Sequence, residues 1–116
     1  MSTILTDFEA RVIKDIIVFN DGVYLPLLQN LATLKVESRV PTGVGAYINF
    51  DRAAQIAIDG IPETELGTDY EIPVPGVPTG LGAVLAVGGG VMQYLELFTY
   101  DPETWDGNTN IQPLIL

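Results

Sequence analysis

The chain has 116 residues, no histidine and no cysteine, and a formal charge of −10 from 15 acidic and five basic side chains. That inventory excludes Ser-His-Asp and Cys-His catalysis, thiolate or imidazole metal ligation, and disulfide bracing. A hydrophobic content of 47% against 17% charged residues supplies a core, so disorder is not expected and one domain spanning residues 1–116 is.

All five basic residues lie in the first 52 positions, where six acidic ones leave a net of −1; residues 53–116 carry nine acidic side chains and no basic one. Such a surface repels phosphate backbones, so no nucleic-acid partner is expected, whereas a basic protein would be attracted. The longest nearly apolar stretch, Leu81 to Met92, contains three consecutive glycines and falls well short of the roughly 18 residues a membrane span needs. Asp7 and Glu9 stand where a secretory leader would be basic. The expectation is a soluble, cytoplasmic protein with no membrane partner.

In chain order, Thr6 and Glu9 form a capping box that opens a helix, and Asp7 suits the positive end of its dipole. Phe8, Val12, Ile16 and Phe19 recur at helical spacing, widened by Ile13 and Ile17; Asn20-Asp21-Gly22 ends the helix. A second helix is predicted from Pro26, with Leu27, Leu28, Leu31 and Leu34 along one side. From Lys35 the period becomes two. Val36, Ser38 and Val40 are predicted to point inward and Lys35, Glu37 and Arg39 outward, followed by the turn Pro41-Thr42-Gly43. A returning strand alternates Ala46, Ile48 and Phe50 with Tyr47, Asn49 and Asp51, and Gln55 to Asp59 is expected as a third strand.

Residues 60–80 hold four prolines, at 62, 73, 75 and 78, which predicts a loop or a broken edge strand over the same core. A hairpin follows, Leu81–Val87 and Val91–Tyr100 around Gly88-Gly89-Gly90. Its second strand places Met92, Tyr94, Glu96, Phe98 and Tyr100 on one face and Val91, Gln93, Leu95, Leu97 and Thr99 on the other; with both faces largely apolar, it should be central. The apolar end Pro113-Leu114-Ile115-Leu116 is expected to dock. The fold expected is α+β: two N-terminal helices packed on one antiparallel sheet of four or five strands.

Chemistry-bearing patterns are few. Gly43-Val44-Gly45 and Gly80-Leu81-Gly82 are turn-type glycine pairs without the spacing or lysine of a phosphate loop. Glu63, Glu65, Asp69 and Glu71 read as a solvated acidic edge, not a catalytic pair. Asp101, Glu103, Asp106, Asn108 and Asn110 offer oxygen ligands, but Gln112 stands where an EF-hand loop needs its bidentate acid, so the segment reads as a turn. No metal, cofactor or catalytic residue is assigned. Glu96 is the acidic residue inside the predicted central strand. It is expected either to pair with Arg39 or Arg52 or to line a pocket with Tyr94, Tyr100 and Trp105, and these four make the candidate binding site.

The segments Leu5-Thr6-Asp7-Phe8-Glu9, Leu27-Leu28-Gln29-Asn30-Leu31, Val36-Glu37-Ser38-Arg39 and Tyr94-Leu95-Glu96-Leu97-Phe98-Thr99-Tyr100-Asp101 resemble, in order and type, those of a group of small uncharacterised bacterial α+β proteins. The resemblance implies a compact helix-plus-sheet fold and no particular activity. The functional expectation is a non-enzymatic acidic interaction module, either immunity- or inhibitor-like or an adaptor, that binds a basic partner or self-associates. The alternative is a small-ligand-binding protein with its pocket between the sheet and the 60–80 loop.

Overall fold

The computed structural model describes residues 3–67, 71–74 and 77–99, residues 78 and 79 by their backbone alone. Helix α1, Asp7–Phe19, begins as the sequence dictates. The Thr6 hydroxyl accepts from the Glu9 N–H at 3.1 Å, and the Glu9 carboxylate accepts from the Thr6 N–H at 2.8 Å. Phe8, Val12, Ile13, Ile16 and Ile17 are buried, and full burial of side chains this size is worth about 1.5–3 kcal/mol each. Phe19, expected in that stripe, is 51% exposed. Phe19 lies within about 20° of Phe8 and Val12 around the helix axis, so its exposure comes from its place at the very end of the helix and not from its face.

The second helical segment starts earlier than predicted. Asp21 accepts from the Val23 N–H and opens a 3-10 helix, Gly22–Leu27, which carries Pro26 inside it and runs into the single α-turn α2, Leu28–Leu31. Tyr24, Leu27 and Leu34 are buried against α1 and the sheet.

The strands are β1 (Thr3–Ile4), β2 (Lys35–Pro41), β3 (Gly45–Phe50), β4 (Thr64–Gly67), β5 (Ile72–Val74), β6 (Val77–Gly88) and β7 (Val91–Phe98). Every pairing is antiparallel, in the order β1-β2-β3-β7-β6-β4, with β5 also on β6. The α+β class holds, but the sheet has seven strands, not four or five. The extra ones come from two places. β1 pairs with the start of β2, and the proline-rich region contributes β4 and β5, which pair with successive stretches of a β6 that begins at Val77. As expected, β7 is central, flanked by β3 and β6.

Two register shifts rearrange the faces inferred from simple alternation. In β2, Val36 pairs with Phe50 but Ser38 pairs with Asn49, so one extra residue lies at Glu37. Beyond that bulge the pleat inverts. Arg39 stands opposite the core residue Ile48, while Ser38 and Val40 stand opposite Asn49 and Tyr47 on the other face. In β7, Val87 pairs with Met92 but Ala86 with Tyr94, so Gln93 is the extra residue. Met92 therefore joins Leu95 and Leu97 in the core and leaves the face of Tyr94 and Glu96.

Arg39 uses its inward position. Its guanidinium donates through Nε and Nη2 to the two carboxylate oxygens of Glu9 at 2.8 and 2.7 Å, and reaches the Thr3 hydroxyl and the Ile4 carbonyl. The Glu9 side chain is fully buried and that of Arg39 one-third exposed. Hydrogen bonding to this carboxylate raises the Arg39 pKa further above its ordinary value, burial opposing. The expected partnership of Arg39 with Glu96 is thereby overturned, since the bulge sends the two to opposite faces.

Gln55 to Asp59 form no strand. The Gln55 side chain does a strand's work instead: its amide accepts from the Met92 N–H at 2.8 Å and donates to the Met92 carbonyl at 2.6 Å. Asn30 makes the same two-bond contact with the backbone of Ile56, at 2.9 Å each way. Asn30 thus satisfies backbone groups of a loop that lacks a ladder, and Gln55 ties that loop to the backbone of β7.

Candidate functional site

With α1, the 3-10 helix and α2 packed on the face of Ala46, Ile48, Leu85, Leu95 and Leu97, the alternate positions of the strands form the opposite face. Register arranges it in rows. One row runs Val40, Tyr47, Glu96, Val84, Gly67 and the next Ser38, Asn49, Tyr94, Ala86, Glu65. The rings of Tyr47 and Tyr94 meet edge to face, with centroids 5.4 Å apart and planes at 71°. The Tyr94 hydroxyl donates to the Glu65 carboxylate at 3.2 Å across the buried Ala86.

Two open grooves border Tyr94. The larger, about 510 Å³, is lined by Glu37, Ser38, Asn49, Asp51 and Arg52 among others, and the smaller, about 260 Å³, by Glu63, Thr64, Glu65, Ala86 and Val87. Gln93 and Tyr94 line both.

Of the predicted site, Tyr94 and Glu96 lie on this face; Tyr100 and Trp105 fall outside the described residues, as does the Asp101 to Asn110 cluster. Glu96 stands beside Tyr47 and Val84. Sequence reasoning missed Tyr47 and Glu65. Tyr47 was legible as the outward residue between Ala46 and Ile48. Glu65 was not, because its prolines hid the strand that brings it to the sheet. Among the described residues no group of three or more carboxylates is placed to hold a metal ion.

The carboxylates disfavour phenolate formation nearby. The charge of Glu96, more than burial, pushes the Tyr47 phenol up, and burial followed by the hydrogen bond to Glu65 does the same for Tyr94. A phenol whose folded pKa exceeds its unfolded value of about 10 adds stability below that value and loses it as pH rises through the folded pKa. In an absorbance titration Tyr47→Phe and Tyr94→Phe should each remove a late-ionising tyrosine. Loss of an ordinary one from Tyr47→Phe would refute the role given to Glu96.

No helix among the described residues is long and apolar enough to cross a membrane. No protein-family model, curated protein or solved structure matches this chain.

Proposed function

We propose that the chain is a non-enzymatic interaction module, inhibitor-like, immunity-like or an adaptor, acting in the cytoplasm on a basic protein partner. The observation that carries this reading is the sheet face opposite the helices, where Tyr47 and Tyr94 stand among Glu65 and Glu96 with Glu37, Asp51 and Glu63 on the bordering grooves. Aromatic side chains supply contact area at little entropic cost, and the carboxylates steer an oppositely charged surface. The open stretch of β2, beyond the two residues that β1 covers, suits association less well. β2 carries a bulge, an inward arginine and Pro41, all of which blunt strand-to-strand pairing, and a charge of −10 opposes self-association.

The test is capture from the source cell with wild-type protein and with Glu65→Lys/Glu96→Lys, at low and high salt. A basic partner held at low salt, released by high salt and lost from the variant is the expected result. Salt-insensitive capture, or equal capture by both proteins, would refute the electrostatic reading.

A second reading rests on the larger groove, whose volume falls within the range of small-ligand sites. Its polar lining suits a polar metabolite. A thermal-shift screen that raises the melting temperature of the wild type but not of Asn49→Leu would favour it; a flat response would remove it.

A further inference from the structure

Resting on the interaction reading above, we propose that the two grooves form one bipartite subsite for an extended, arginine-bearing segment of the partner, with Tyr94 as the post between two cationic side chains. The grooves share Gln93 and Tyr94, so a chain crossing β7 at this level passes from one to the other over the tyrosine ring.

Each groove offers carboxylates to a cation. Glu37 and Asp51 line the larger, offset by one positive charge on Arg52, and Glu63 and Glu65 line the smaller with no basic residue. Glu63 and Glu65 are both exposed, so an incoming charge can reach their carboxylates. The Tyr94 hydroxyl is committed to Glu65, which holds the ring over the sheet where its π-face can take a cation.

Arginine fits better than lysine. Its planar guanidinium stacks on an aromatic ring and bonds a carboxylate through two parallel N–H groups, whereas an ammonium is a hydrated point charge.

The register also sets the spacing. One groove is centred near β3 and the other near β4 and β6. With strands about 4.8 Å apart, their centres lie two to three strands, roughly 10–14 Å, from each other. An extended chain advances about 3.4 Å per residue and repeats a side every second residue, so two arginines separated by three residues reach both grooves from one side.

The test is a titration of the isotope-labelled protein with the capped peptide Arg-Ser-Gly-Ser-Arg, followed by amide chemical shifts. An isomer with adjacent arginines and the lysine analogue are run in parallel. The first peptide should move the signals of Glu37, Asp51, Glu63, Glu65, Gln93 and Tyr94, and bind more tightly than either control. Glu63→Gln/Glu65→Gln should weaken it about three- to tenfold, the effect of two exposed ion pairs, with an unchanged circular dichroism spectrum. Equal binding of the adjacent isomer or the lysine analogue, shifts on the helical face, or indifference to the double substitution would overturn the subsite.

The two levels of the reading fail separately. A salt-sensitive partner captured equally well by Glu63→Gln/Glu65→Gln would remove this subsite and leave the basic-partner reading standing. Absence of any salt-sensitive partner would remove that reading as well.

Discussion

Arg39→Met should destabilise the protein by about 2–4 kcal/mol, below the full range found when one member of a buried ion pair is removed because Arg39 itself is one-third exposed. The Glu9 carboxylate is fully buried and bonded through both oxygens to the Arg39 guanidinium. Methionine keeps much of the aliphatic volume of arginine but removes the guanidinium that bonds both oxygens of this buried carboxylate. The same substitution removes the bonds that tie β1 to β2 through Thr3 and Ile4. Urea unfolding should show a midpoint lower by about 1–3 M at an unchanged slope. The decisive comparison is the double variant Glu9→Gln/Arg39→Met. A neutral amide keeps an oxygen for the capping bond to the Thr6 N–H and removes the buried charge, so the double variant should be more stable than Arg39→Met alone. A double variant no better than the single would mean that the loss lies in packing and β1 docking, and that the charge pair contributes little.

The second large effect is expected at the β6–β7 turn. Gly89 and Gly90 both have positive φ, +62° and +77°, the pairing of a tight hairpin turn that matches the twist of its strands. Their surroundings differ. A Cβ on Gly89 would meet nothing within 4 Å, whereas one on Gly90 would lie 2.4 Å from the carbonyl oxygen of Ile58 and 2.6 Å from its nitrogen. Gly89→Ala should therefore cost only the left-handed backbone penalty, about 1–2 kcal/mol. Gly90→Ala adds a collision with backbone that cannot rotate away and breaks the bond from the Ile58 N–H to the Gly90 carbonyl; a loss of about 3 kcal/mol or more is expected, in the range reached by few single substitutions. Thermal unfolding of the two variants compares them directly. Equal losses would show that the Ile58 loop shifts freely, and that it does not clamp the turn.

The elements carried by local chemistry were legible in the sequence. The Thr6–Glu9 capping box, the helical period of Phe8 to Ile17, the alternation of Ala46, Ile48 and Phe50 and the glycine turn before β7 each act over a few residues, and each is found where the spacing puts it. The central place of β7 was legible too, because both of its faces are largely apolar. The absence of histidine and cysteine and the one-sided charge are properties of composition that no fold can alter.

Tertiary structure alone decided the rest. Whether Arg39 faces solvent or Glu9 depends on a single extra residue at Glu37, and a bulge has no signature in alternating residue types, because it is chosen by the partner strand and by a buried carboxylate 30 positions away. The same holds for Met92, moved into the core by the bulge at Gln93. Gln55 and Asn30 look like loop polar residues in sequence; their roles exist only because the backbones of Met92 and Ile56 come within bonding distance. The candidate site follows the same logic. Tyr94 and Glu96 could be picked from one strand, but the acidic, tyrosine-bearing face is assembled from five strands, and β4, which delivers Glu65, is held by its pairing to β6 in a region whose prolines argue locally against a strand. Local propensity acts over a few residues, and it yields wherever backbone pairing and buried charge from distant parts of the chain supply more free energy.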